Sequence, residues 1–83
     1  MNVYTLTIQF RTGDQTDYSS IEGVYLLKED AKEAAKKALD RQHALWEDAR
    51  AYRVFKSNAR VVVALERPSG ISKRYIIEEH EVQ

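Results

Sequence analysis

The residues with most potential for chemistry lie between positions 50 and 74. Seven basic groups (Arg50, Arg53, Lys56, Arg60, Arg67, Lys73 and Arg74) share that stretch with one acid, Glu66. Clustered Arg and Lys side chains are what phosphate contact requires, and Tyr52, Phe55 and Tyr75 nearby could stack on bases. Arg50, Arg53, Lys56, Arg60, Lys73 and Arg74 are therefore candidate nucleic-acid contacts. The plainer alternative is that these bases sit in water or are balanced by Glu66, Glu78, Glu79 and Glu81. The chain shows no RRM, KH or helix-turn-helix signature.

A second cluster is Asp14, Asp17, Tyr18, Ser19 and Ser20. Loops often display binding residues, and Tyr18 beside two carboxylates would anchor a protein contact. Turn formation explains the same residues, because Asp and Ser side chains bond nearby backbone amides. His43, Glu78 and His80 are of metal-ligating types, but the two histidines lack ligand spacing, so no metal or cofactor is expected. Gly13, Gly23 and Gly70 are too scattered to cradle a phosphate, and no Ser stands in a nucleophile elbow. The expectation is a protein that is not an enzyme.

These groups are positioned by a short chain. Its 83 residues are 43% hydrophobic and 31% charged, the composition of a compact domain. Thirteen basic and thirteen acidic residues cancel, which removes the simplest electrostatic argument for nucleic acid or an anionic membrane. Charge is nevertheless segregated along the sequence, since the last nine residues hold Glu78, Glu79 and Glu81 without a Lys or Arg. The absence of cysteine excludes disulfides and thiolate chemistry. No secretory leader or apolar membrane span is seen, so a cytoplasmic protein without membrane contact is expected. A chain of this length buries only roughly 60 to 65% of its unfolded surface, which favours a groove or flat surface over a deep cavity.

Tyr4, Leu6, Ile8 and Phe10 alternate with Thr5, Thr7, Gln9 and Arg11, the pattern of a half-buried strand. Thr12 to Ser20 reads as a long polar loop, and Ile21 to Leu27 as a returning strand in which Gly23 marks a bulge. Asp30 and Glu33 form a capping box, and Ala31, Ala34, Ala35, Ala38, Leu39, Leu45, Trp46, Ala49 and Tyr52 recur at spacings of three and four. The spacing predicts an amphipathic helix from about 30 to about 50. Tyr52 to Lys56 is a candidate short strand, and strands from Arg60 to Arg67 and Lys73 to Val82 flank the turn Pro68-Ser69-Gly70. Closing that turn pairs Val63 with Tyr75, Val62 with Ile76, Val61 with Ile77 and Arg60 with Glu78.

The expected fold is one α+β domain over residues 1–83. It has an antiparallel sheet of four to five strands, in ββαββ order, with one long amphipathic helix on one face. The strand from Arg60 would be a free edge unless Tyr52 to Lys56 pairs beside it.

The segments Val3-Tyr4-Thr5-Leu6, Asp17-Tyr18, Ile21-Glu22-Gly23-Val24-Tyr25, Lys28 to Ala35 and Ile77 to Val82 resemble small phage- and prophage-encoded ββαβ proteins of unknown function. The resemblance covers the first 40 residues and the last eight; residues 41–72 depart through a longer helix and an added strand. It implies a setting in which short proteins bind a host or rival macromolecule, as nuclease inhibitors and anti-CRISPR proteins do. The sequence thus points to a protein-interaction module with a protein partner or a second copy of itself, with nucleic-acid binding through residues 50–74 as the alternative.

Overall fold

The computed structural model describes Met1 to Gln83 as five strands and one helix: β1 (Asn2–Thr12), β2 (Gln15–Tyr25), α1 (Lys28–Leu45), β3 (Arg50–Lys56), β4 (Arg60–Glu66) and β5 (Ile71–Glu81). All strands are antiparallel, in the order β2-β1-β5-β4-β3. The order is therefore ββαβββ rather than ββαββ, because Arg50 to Lys56 does pair beside β4. That pairing puts β4 in the interior and makes β3 the edge.

β1 and β5 form the central pair over 11 residues each, and the alternation in β1 turns Tyr4, Leu6, Ile8 and Phe10 toward the helix. The core joins Leu6, Tyr75, Ile77 and Leu65 of the sheet to Ala31 and Ala35 of α1 and to Ala49. The small alanines let the helix approach closely. Trp46 packs against this cluster, whereas Leu45, although part of the apolar spacing, is 77% exposed and adds nothing to the core.

The β4–β5 hairpin has the expected register at all four predicted pairs. Its turn closes with the Gly70 amide donating to the Arg67 carbonyl at 2.9 Å, and Gly70 adopts a φ of 93°. In the first hairpin the turn is only Gly13-Asp14, and the segment read as a loop through Ser20 is strand. The Gly13 amide bonds the Gly70 carbonyl at 3.0 Å, so the turns of the two hairpins support each other. Glu22, next to Gly23, is the unpaired residue between the Leu6/Gly23 and Thr7/Ile21 pairs, which places the bulge beside the expected glycine.

The capping box is not used. Leu27 is the N-cap, without a side-chain cap bond, and the helix begins at Lys28 with Glu29 and Asp30 in its first turn, where acids favour the helix dipole. It ends at Leu45, earlier than the spacing suggested, because Trp46 leaves the helix and a turn closed by the Ala49 amide on the Trp46 carbonyl leads into β3. Ala49 and Tyr52 extend the spacing by coincidence, since the connection buries Ala49 and β3 places Tyr52, only half-buried, on the sheet face away from the helix.

Candidate functional site

The structure divides the predicted site residues among separate surfaces. Opposite residues in a sheet share a face. On the face away from α1, Thr16, Arg11, Ser72, Glu66 and Arg50 form one row across all five strands, and Ser19, Gln9, Arg74, Ala64 and Tyr52 form the next. Arg60 lies two rows further on, opposite Glu78. Arg50, Arg60 and Arg74 thus share the open face with Tyr52 and Phe55. The Arg50 and Arg60 guanidinium carbons lie 5.5 and 5.9 Å from the ring centroids of Tyr52 and Phe55. The expected Arg60–Glu78 pairing exists at 3.8 Å.

Arg53 stands opposite Val63, and Lys56 opposite Val61, on the helix side. Lys73 is also on that side, where it donates to Gln42 at 2.8 Å and lies 6.0 Å from the Trp46 ring centroid. Lys73 therefore fastens helix to sheet and is removed from any basic contact surface. Asp14, Asp17 and Tyr18 lie at the far side of the sheet, by the first turn and along the β2 edge. The Asp14 carbonyl accepts from Arg11 at 3.0 Å, Asp17 accepts from the Thr12 hydroxyl at 2.6 Å, and Tyr18 stacks on Phe10 with ring centroids 5.6 Å apart.

The two edges differ in sign. β3 carries Arg50, Arg53 and Lys56 and no acid, while β2 carries Asp17 and Glu22 and no base. The zero net charge hides this edge-to-edge polarity.

Two surfaces escape the sequence reading. The first is a row on the open face, Ile21, Thr7, Ile76, Val62 and Phe55, which crosses every strand. Val62 and Ile76 are each 3% exposed although no helix covers them; the ends, Ile21 and Phe55, are 67% and 40% exposed. The second is a trough of about 300 Å³ on the helix side. Val61, Val63, Tyr75 and Ile77 form its floor, Ala35 and Leu39 one wall, and Lys32 and Lys36 its helix rim. Arg53 and Lys56 stand on the neighbouring strand, opposite Val63 and Val61. Lys36 pairs with Asp40 at 2.9 Å, while Lys32, Arg53 and Lys56 form no ion pair. The recurrence of lysine at 28, 32 and 36 was the signal in the sequence that a helix flank is basic.

Two tyrosines are shifted. Burial holds the Tyr75 phenol up to about 12, partly opposed by Arg41. Tyr4 is raised by desolvation and by Glu79, whose carboxylate accepts a hydrogen bond from the phenol at 3.2 Å. The histidines fall on different sides of the molecule: His80 bonds Thr5 at 2.9 Å, and His43 the Ala49 carbonyl at 3.0 Å. No three His, Cys, Asp or Glu side chains gather as metal ligands. No helix is long and apolar enough to cross a membrane. Comparison with protein-family models, with curated protein sequences and with solved structures finds no match.

Proposed function

We propose that this protein is a small non-enzymatic interaction module that binds an acidic protein segment along its β3 side. The observation that carries this reading is the free β3 edge, with Arg50, Arg53 and Lys56 and no acid. An exposed edge offers unpaired backbone groups to an added strand, and side-chain charge selects which strand. Antiparallel self-pairing about Arg53 would set Arg50 against Lys56 of the second copy, so the edge suits a different partner better than a homodimer. The resemblance to phage- and prophage-encoded proteins supports an accessory or inhibitory role of the anti-CRISPR kind. A cysteine-free chain suits a reducing compartment, and the cytoplasm is the proposed setting.

The test is cross-linking mass spectrometry on complexes captured from cells. Cross-links at Lys56 to an acidic segment are expected. They should be lost, with the fold retained by circular dichroism, in the variant Arg50→Glu, Arg53→Glu, Lys56→Glu. Capture that is indifferent to those changes would refute the reading.

One arrangement favours a second reading, single-stranded nucleic acid on the open face, because Arg50, Arg60 and Arg74 share that face with Tyr52 and Phe55. Fluorescence anisotropy of 20-nucleotide single strands at two salt concentrations tests it. Binding that weakens steeply with salt and is lost on Arg74→Glu would favour it over the protein partner.

A further inference from the structure

We infer that the trough between α1 and β4 is the seat of an acidic amphipathic helix supplied by a partner protein. The inference rests on the reading of the chain as an interaction module, but not on strand addition at β3.

The argument begins with how far one helix reaches. α1 packs on β1, β5 and β2, and the sheet continues past it through β4 and β3. Strands are spaced about 4.8 Å apart and packed helices about 8–10 Å apart. A second helix beside α1 would therefore lie roughly 10 Å from it, over the gap between β4 and β3. Val61 and Val63 occupy that position, only half-buried, with Leu39 facing them from the helix. Toward the α1–β3 connection the sheet is already closed, since Leu65 is fully buried and Trp46 packs on its cluster. The open length runs from Lys32 to Leu39, seven steps along the helix or about 10 Å. Three apolar anchors at i, i+4 and i+7 span the same distance.

Charge decides what flanks those anchors. Lys32 and Lys36 line the helix rim, where Lys36 pairs with Asp40, and on the strand side Arg53 and Lys56 stand on the same sheet face opposite the floor residues Val63 and Val61. An incoming helix with Glu or Asp on both shoulders would meet cations on each side. A second copy does not fit. The only helix in the chain presents Glu33, Lys37, Asp40 and Ala44 outward, with no apolar ridge to bury.

The test uses a yeast-displayed library of 18-residue helices with Leu at i, i+4 and i+7 and randomised flanks, sorted against the full-length protein. Enriched clones are expected to carry Glu or Asp beside the anchors, and to bind at least tenfold more weakly to Val63→Glu. They should lose as much on the double change Lys32→Glu, Lys56→Glu, which alters only exposed side chains and so cannot act through the core. Methyl NMR shifts on binding should map to Leu39, Val61 and Val63. No enrichment, basic flanks, or clones insensitive to both variants would overturn the inference. If β3 cross-links persist under any of those outcomes, the interaction module stands and only the helix seat is lost.

Discussion

Arg67 lies over the ring of Trp46, its guanidinium carbon 5.6 Å from the centroid, while the same guanidinium donates to Asp48 at 3.0 Å. Trp46 follows α1 directly and Arg67 opens the β4–β5 turn, so this contact joins the end of the helix to the far hairpin. Lys73 reaches the same ring and bonds Gln42. The indole is thus an apolar body against the core with two cations over its face. Trp46→Ala should cost about 2–3 kcal/mol in urea unfolding, below the cost for a fully buried Trp because part of the ring meets solvent. Arg67→Ala should cost about 1 kcal/mol or less, since the Asp48 pair is exposed to water. A larger loss for Arg67 than for Trp46 would mean that charge, not burial, holds this end.

How much of this could be read in the sequence varied with burial. β1 and the β4–β5 hairpin were legible because each has one face in the core and a turn of defined chemistry at its end. The first half of β2 was not, since it is an edge strand with most residues exposed, and Thr16, Asp17, Ser19 and Ser20 imitate a loop when nothing forces alternation, whereas its apolar second half from Ile21 was legible. The basic residues were legible as types but not as a surface. Val54 is the unpaired residue between Arg53 and Phe55, and this shift places Arg53 and Lys56 on one face and Phe55 on the other. Simple alternation would have separated Arg53 from Lys56. The trough was illegible because it exists only where α1 stops covering the sheet, which depends on strand order.

Tyr75 gives the fold a pH limit. Its phenol is held up to about 12 in the folded protein against an ordinary value near 10. The unfolded chain releases this proton first, so the contribution is complete below pH 10 and is lost as pH rises toward 12. Urea unfolding should show a decline on the order of 2 kcal/mol across that interval. Tyr4 is shifted in the same direction and adds to it. Tyr75→Phe should flatten the slope, and an unchanged slope would assign the alkaline loss to other groups.

Gly13 and Gly70 separate two kinds of glycine requirement. A Cβ would meet nothing within 4 Å at either position, so only the backbone decides. Gly13 has φ of 58°, within the left-handed region that Asn adopts, whereas Gly70 has φ of 93°, beyond it. Gly13→Asn should therefore change stability by less than about 0.5 kcal/mol, and Gly70→Asn should cost roughly 1–2 kcal/mol. Equal effects on thermal unfolding would contradict the distinction.

Arg60 and Glu78 face each other on the open sheet, and their coupling bears on whether that face is available to a ligand. Their 3.8 Å separation and side-chain exposures of 45% and 40% describe a pair in water, screened by salt. Arg60 is also held near the Phe55 ring. A double-mutant cycle between Arg60→Ala and Glu78→Ala should return a coupling below about 0.5 kcal/mol that fades at high salt. Such weak coupling leaves the guanidinium free to exchange Glu78 for an incoming phosphate or carboxylate at little cost. A coupling above about 1 kcal/mol would mean that Arg60 is committed to Glu78, and would leave Arg50 and Arg74 as the cations of the open face.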